Sequence, residues 1–323
     1  MTFDKIIHHQ AQKDILLRAL HHKRLAHAYL FEGPEGVGKK LMALALARAL
    51  FCTEGQGCGE CAACRKVDHQ NHPDLHWLSP DGSQIKIDQV RKIQQELSLR
   101  PLEGQHKVCL IDAADTMNAA AANALLKTLE EPAAGTLLIL LSARPEFLLD
   151  TIRSRCQRLR FNRLPRRQMA EILEHRLEVT EQEALVMAAL SDGSFKKAFG
   201  DRRELYLDQR KKLINALLAL SDGAILPLMN LAEQLEKDKE NLEDILDIFQ
   251  SFYRDLLLLG QGRPEAELVN IDLRETLFQR ARREPPDALL RKLEAIDDAR
   301  FHLERNVNRQ LALESMLLQI VAA

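Results

Sequence analysis

An α/β domain with a parallel sheet, followed by a region that is entirely helical, is the architecture that this sequence predicts. Short aliphatic strands alternate with amphipathic helical stretches in the first half of the 323-residue chain, and the strand pattern stops after Leu164-Pro165. A hydrophobic content of 46% is enough to bury the cores of two or three domains. We therefore expect a sheet domain at 1–164, a small helical domain at 165–205 and a larger helical domain at 206–323.

The elements of the first domain follow one another in a strand-helix order. The predicted strands are aliphatic runs at 28–31, 107–111 and 137–141. Apolar residues at helical spacing predict helices over 15–20 and 42–50, and the second of these follows a glycine-rich turn. In the C-terminal region the spacing of apolar residues at 242–249 is typical of an amphipathic helix.

Charge and hydropathy exclude some classes of function. Lys and Arg number 45 and Asp and Glu 47, so a formal charge of -2 provides no bulk attraction to nucleic acid or anionic lipid. The first residues lack the apolar core of a signal peptide, and the aliphatic run at 137–141 is too short to span a bilayer. We expect a cytoplasmic protein with no membrane contact.

The segment GPEGVGKK at 33–40 has the spacing of a phosphate-binding loop. In such a loop Gly33 and Gly38 let the backbone amides surround phosphate oxygens, and Lys39 reaches the terminal phosphates. The next position should be Ser or Thr, but it is Lys40, which has no lone pair to bind Mg²⁺. The alternative is an ordinary glycine turn between a strand and a helix.

A carboxylate for the same site is expected at the end of a later strand. Asp112 directly follows the strand at 107–111 and is the candidate. Ala113 comes next, and alanine cannot act as a base. Asp115 is a weaker candidate for a catalytic carboxylate because it lies farther along the chain. Binding of ATP or ADP by this chain is therefore doubtful.

Four cysteines form the pattern C-x5-C-x2-C-x2-C after the phosphate loop and its helix. They are Cys52, Cys58, Cys61 and Cys64. Thiolates at this density favour tetrahedral Zn²⁺ in a closed structural site. An iron-sulfur cluster and unligated reduced thiols are the alternatives.

Several longer strings resemble a known family. The segments lie at 27–40, 118–132, 151–157 and 306–320. They resemble the bacterial clamp-loader subunits of DNA polymerase III, which are AAA+ proteins, over nearly the whole chain. The resemblance implies an AAA+ sheet domain with a zinc module, a helical lid and a C-terminal helical collar. The gamma/tau members keep the Ser/Thr and Glu that are replaced here by Lys40 and Ala113, so the departures point to the delta-prime branch.

The family implies a subunit that does not hydrolyse ATP, joins gamma/tau and delta, and helps to load the sliding clamp onto primer-template DNA. Within the Ser-Arg-Cys motif, Arg155 is then the residue that reaches the ATP of a neighbouring subunit, a task that suits a planar, permanently charged group. A surface arginine paired with a carboxylate is the alternative, and Arg153 is the competitor. The resemblance also places sensor residues at Ser142 and Lys196.

Two other functions compete with this one. An autonomous ATPase would need the metal ligand and the base that Lys40 and Ala113 replace. A zinc-dependent nucleic-acid-binding module would fit a basic chain better than this near-neutral one. Local DNA contacts at Lys86, Arg91 and Lys92 are a further option, for which a solvated helix face is the alternative.

Overall fold

The computed structural model describes residues 2–200, 203–221, 223–305 and 307–323. The chain divides into two compact units, Met1–Leu164 and Pro165–Ala323. The string that resembles the family's last helix begins at Asn306, and Asn306 itself lies outside the described residues.

A parallel sheet forms the centre of the first unit. Its strands are β1 (Ala28–Glu32), β2 (Leu75–Leu78), β3 (Lys107–Ile111), β4 (Thr136–Ser142) and β5 (Gln157–Arg160). The order in the sheet is β2-β3-β4-β1-β5, and each neighbouring pair is parallel. The helices are α1 (Gln10–His21), α2 (Lys39–Phe51), α3 (Ala62–Asp68), α4 (Ile87–Ser98), α5 (Ala119–Glu130) and α6 (Asp150–Arg153). The predicted parallel α/β class is confirmed.

Each face of the sheet packs against its own layer of helices. Tyr29 and Phe31 point to one hydrophobic cluster, which includes residues of α1 and α2. Leu30 points to the other cluster, which includes residues of α4 and α5. All residues of β1, β3 and β4 are buried. Strands covered on both faces are continuous apolar runs, which is why the sequence pattern predicted these three.

The structure adds two edge strands that were not predicted. β5 consists of Gln, Arg, Leu and Arg, and three of its four residues are exposed. Its register beside β1 is supported by Glu32, whose buried carboxylate accepts hydrogen bonds from Arg158 Nε at 2.9 Å and Arg160 Nε at 2.9 Å. Paired charges therefore hold an edge strand that has little apolar burial of its own.

The second unit is helical in its described part. Its α-helices are α7 (Arg166–Leu177), α8 (Glu181–Leu190), α9 (Phe195–Phe199), α10 (Arg210–Leu218), α11 (Ile225–Lys237), α12 (Leu242–Gly260), α13 (Arg274–Ala281), α14 (Pro286–Glu304) and α15 (Arg309–Ala322). Within the described residues, no helix has both the length and the apolarity of a membrane span. The described residues of 165–205 and 206–323 belong to this one unit, and their separation into two domains stays a prediction.

The C-terminal helical pattern is interrupted. Leu303, Val307 and Leu311 recur every four residues, a spacing that on its own predicts one continuous apolar row. The structure ends α14 at Glu304 and begins α15 at Arg309, so these residues do not share a helix. Asn308 caps α15, since its side chain accepts a hydrogen bond from the backbone N–H of Leu311 at 3.1 Å. The buried face of α15 consists of Ala312, Leu313, Met316, Leu317 and Ile320.

Candidate functional site

The glycine loop lies between β1 and α2, as a phosphate-binding loop requires. Gly33 has a φ of 146°, and a Cβ there would collide with the backbone carbonyl of Phe161. Its N–H donates to Ser142 O at 3.1 Å, which ties the loop to the end of β4. Gly38 has a φ of 103° and occupies the N-cap of α2. Only glycine fits at position 33, because both the close approach of Phe161 and the positive φ exclude a residue with a Cβ.

His9 contacts the glycine loop through a hydrogen bond. Its side chain is buried, and Nε2 lies 2.8 Å from the carbonyl oxygen of Val37. Burial lowers the pKa of His9, an effect that the contact with Val37 opposes. A neutral imidazole whose Nε2 carries the proton therefore donates to the loop backbone.

Lys39 is at the centre of the loop. Only 9% of the residue is exposed, and Nζ donates to Pro34 O at 2.7 Å and to Gly33 O. Burial lowers the pKa of Lys39, while the carboxylates of Glu35, Asp115 and Asp112 act in the opposite direction. The ammonium thus faces both the loop carbonyls and the acidic residues after β3.

The side chain of Lys40 lies beside Asp112. Its Nζ lies 3.8 Å from Asp112 Oδ2 and 4.1 Å from the centre of the Trp77 ring. The indole face and the carboxylate both attract a cation. Ala113 follows in a left-handed conformation, with a φ of 47°, and its side chain is only a methyl group. The protein therefore supplies the cation at this carboxylate itself.

Asp115 is engaged in hydrogen bonds that organise the end of β4. Its Oδ1 accepts from Ser142 Oγ at 2.8 Å and from Ala143 N at 3.1 Å. Arg144 Nε lies 3.5 Å from the other oxygen. With a side chain that is only 4% exposed, this carboxylate is positioned to join two strand ends. Ser142, the predicted first sensor, takes part in this link.

Arg155 lies on the surface, just after α6. Its Nη2 is 2.7 Å from Glu130 Oε1, and Nη1 donates to Thr151 O at 3.0 Å. Side-chain exposure is 36% for Arg155 and 50% for Glu130. Arg153 instead pairs with Asp150 and is less exposed, at 29%. Of the two arginines, Arg155 presents the more accessible guanidinium.

The second-sensor candidate has no described bond of its own. Lys196 is exposed on α9. The next residue, Lys197, makes the polar contacts, with Nζ 3.1 Å from Asp244 and 3.0 Å from Asp247. Both carboxylates belong to α12, so Lys197 links two helices of the second unit.

The four predicted cysteines come together. Their Sγ atoms all lie within 4.8 Å of one another, and Cys58 Sγ is 3.9 Å from Cys64 Sγ. A tetrahedral zinc site with Zn–S distances of about 2.3 Å has sulfur separations of roughly 3.8 Å, so the donor set fits this ion. Backbone N–H groups point at three of the sulfurs, from Cys58 to Cys52, from Cys61 to Cys58 and from Cys64 to Cys61.

The thiols of this cluster differ in acidity. The N–H of Cys64 donates to the sulfur of Cys61 and lowers the pKa of Cys61 to about 6, against the smaller opposing effect of burial. Burial raises the pKa of Cys64. Nearby histidines have other partners: His72 stacks on Phe51 at 4.0 Å, and His76 Nδ1 lies 2.9 Å from Glu96. Among the described residues, the group in this region that could hold a metal ion consists of the four cysteines.

Arg48 is a residue of this region that the sequence reasoning missed. It lies on α2, four positions before Cys52, and its side chain is 1% exposed. An arginine within the otherwise apolar ALALARALF segment was the available signal. A charged residue on the buried face of a helix needs a partner, and the cysteine loop is its neighbour.

Fold and site together define a P-loop domain followed by a helical unit, with a lysine and an alanine at two positions that serve hydrolysis in active members. A family model described as "DNA polymerase III, delta subunit" matches residues 8–165, and "DNA polymerase III, delta subunit, C terminal" matches 204–321. DNA polymerase III subunit delta-prime of Bacillus subtilis is 35% identical over 314 residues, which are 95% of this chain and 94% of that protein. The chain belongs to the delta-prime family of DNA polymerase III and is a clamp-loader subunit.

Two further relatives show the breadth of the similarity. Subunit delta-prime of Haemophilus influenzae is 34% identical over 240 residues, covering 72% of this chain and 70% of that protein. Subunit tau of Bacillus subtilis is 31% identical over 277 residues, covering 83% of this chain and 48% of tau. The chain is therefore also similar to tau, over about half of tau's length.

Proposed function

We propose that this clamp-loader subunit does not hydrolyse ATP and instead serves the ATP site of a neighbouring subunit. The observation that carries the proposal is the ammonium of Lys40, 3.8 Å from Asp112, where an active site would hold Mg²⁺. Lysine has no acceptor for a metal, and Ala113 has no base to activate water. Gly33, Gly38, Lys39 and Asp112 then form a degenerate nucleotide site without hydrolytic chemistry.

Arg155 is the residue that acts on the neighbour in this account. Its pair with Glu130 is exposed on both sides, and such ion pairs contribute only about 0–1 kcal/mol. The terminal phosphates of a neighbouring ATP carry more charge than one carboxylate and match the planar guanidinium. Arg155 can therefore leave Glu130 and bind a phosphate at a low cost in free energy. In this way Arg155 supplies its charge in trans.

The partners in this proposal are the gamma/tau and delta subunits, which with this chain open the sliding clamp and place it on primer-template DNA in the cytoplasm. Among the helices of the second unit that carry exposed apolar side chains are α11 and α15, which contact each other. The large apolar side chains exposed on these two helices are Ile225, Leu226, Met229, Leu311 and Leu318. An apolar surface of this kind supports subunit contact, whereas a near-neutral chain is expected to meet DNA through the complex.

We also propose that the cysteine cluster holds one structural Zn²⁺. All four coordination positions are filled by sulfur, which leaves none open for water or substrate. The ion would cross-link the end of α2, the loop that follows it and the start of α3. Zinc would replace the protons of the cysteine thiols and hold the loop in one conformation.

The ATPase activity of the purified chain tests the central part of this proposal. The expected result is no turnover above background at saturating ATP and Mg²⁺. Lys39→Ala is the control, because a contaminating ATPase would not respond to it. Turnover that disappears with Lys39→Ala would contradict the proposal.

A further inference from the structure

Arg48 carries a buried charge that is incompletely compensated. Arg48 lies near the C-terminal end of α2 with a side chain that is 1% exposed. Its Nη2 forms an ion pair with Asp68, which is 44% exposed, but Nε and Nη1 are buried without a hydrogen-bond partner among the described residues. Removing a charge from water is costly unless other charges or hydrogen bonds compensate it. Asp68 alone does not satisfy this guanidinium.

The cysteine loop lies against the same side chain. The Arg48 guanidinium is close enough to interact electrostatically with Cys64, Cys58 and Cys52 when these are thiolates. Gly57, within the loop, has a φ of 71°, and a Cβ there would lie 3.5 Å from both Cγ and Cδ of Arg48. The loop therefore packs on the aliphatic stem of Arg48, and its sulfurs lie within electrostatic range of the guanidinium.

A zinc ion with four thiolates carries a net charge of minus two. In a largely buried setting that charge needs compensation, just as the arginine does. We propose that Arg48 is the counter-ion of the zinc centre, compensating its negative charge and positioning the cysteine loop on α2. This role rests on the proposed metal site. Through Asp68, the last residue of α3, Arg48 also joins the helix that carries Cys64 to the helix that begins with the loop lysine.

Zinc affinity of the full-length chain, measured by competition with a chelator, is the test. Arg48→Met keeps the length of the side chain and removes its charge. Groups that support metal ligands from outside typically change affinity 10–100-fold, so we expect a loss in that range. Arg48→Lys should stay much closer to the unchanged protein. Arg65→Met is the matched control, because Arg65 is exposed and directly follows Cys64; screened by water, it should change affinity less than about fivefold.

Stability of the metal-free, reduced chain distinguishes charge compensation from packing. Without zinc the net charge of minus two at this centre is absent, and among the described residues Arg48 keeps only its ion pair with Asp68. Arg48→Met should then leave the urea midpoint of the metal-free form unchanged or raise it, while lowering that of the zinc-bound form. An equal loss in both forms would make Arg48 a packing residue and overturn the proposal.

Two results of the zinc-affinity measurement would also overturn the proposal. Unchanged zinc affinity in Arg48→Met, or an equal loss in Arg48→Lys, would overturn the role of the charge while leaving the metal site intact. Elemental analysis of the unsubstituted chain comes first. If that chain holds no zinc, the metal site itself is refuted and the role of Arg48 falls with it.

Discussion

The ammonium of Lys40 and the carboxylate of Asp112 lie 3.8 Å apart, and the same ammonium is 4.1 Å from the centre of the Trp77 ring. In a hydrolysing P-loop protein a hydroxyl at the position of Lys40 and the carboxylate after the strand both help to hold Mg²⁺. In this protein the positive charge beside Asp112 is the side chain of Lys40, which unlike Mg²⁺ cannot dissociate from the site. The pair explains how Asp112 keeps a charge partner although the metal ligand is lost.

Replacing Lys40 should therefore change the metal dependence of the loop. Lys40→Thr removes the internal cation and restores a hydroxyl ligand, so ADP binding should become stronger in Mg²⁺ than in EDTA by on the order of tenfold, about 1.4 kcal/mol. Isothermal titration measures this directly. Lys40→Met is the control, since it removes the charge without adding a ligand and should show no such dependence. Equal behaviour of the two variants would show that the hydroxyl plays no part.

Among the cysteines, zinc content should respond to those of the cluster and not to Cys109. Cys64→Ser replaces a buried ligand, and the substituted chain should retain much less than one zinc per chain after dialysis against a chelator. Cys109→Ala provides the comparison, because Cys109 is equally buried but lies in β3, outside the cluster. Iron in place of zinc, or equal zinc in both variants, would contradict the assignment.

The stability of the chain should carry a contribution from His9 that depends on pH. Burial holds the folded-state pKa of His9 below its ordinary value of about 6.5, so the unfolded chain takes up a proton first as the pH falls. This contribution is fully present above pH 6.5 and is lost as the pH falls from about 6.5 to the folded-state pKa, with a slope of at most about 1.4 kcal/mol per pH unit.

Comparison with His9→Gln isolates this effect, because Gln can still donate to Val37 O. His8 has a pKa that burial and Lys13 lower as well, and it remains in both proteins. Urea unfolding between pH 7.5 and 5 should show a smaller pH slope for the variant. Identical slopes would mean that His9 does not titrate differently in the folded state.

How far the fold could be predicted depended on burial. β1, β3 and β4 are covered on both faces, so their sequences are apolar without interruption and were predicted. β2 and β5 lie at the sheet edges. Glu32 is 126 residues from Arg158, and no local pattern indicates that they pair. A strand that is held by residues far away in the sequence cannot be predicted from the local spacing of apolar residues.

The site shows the same division. The glycine loop and the cysteine cluster are contiguous motifs, and their spacing alone indicated where they lie. The contact of Lys40 with Trp77 and the packing of Arg48 on Gly57 join separate segments, so their chemistry follows only from the tertiary structure. Glu130 as the partner of Arg155 could not be predicted for the same reason.

Assembly should depend on the apolar surface of α11. Leu226 is 75% exposed there, and Leu226→Glu should weaken co-assembly with gamma/tau and delta by about tenfold or more if it lies at the centre of a contact. The stability of the isolated chain should be unchanged by Leu226→Glu, because the Leu226 side chain is mostly exposed to solvent in the folded chain. Leu102→Glu is the matched control, since Leu102 is 78% exposed in the first unit. Analytical size exclusion of the mixed subunits reports the difference, and equal effects of the two variants would contradict a collar contact at Leu226.

The most direct test of a subunit that serves its neighbour is the DNA-stimulated ATPase rate of a complex reconstituted with gamma/tau, delta and an Arg155→Ala chain. Arginine fingers contribute about 10³–10⁵ in rate at the site they serve in GTPases, so one site should be lost while the others continue. Arg155→Lys should restore little because it lacks the planar fork, and Arg153→Ala should be milder. The trans-acting role of Arg155 predicts an assembled complex with a reduced rate of ATP hydrolysis and clamp loading at subsaturating ATP. An assembled Arg155→Ala complex that works at the unmodified rate would contradict it.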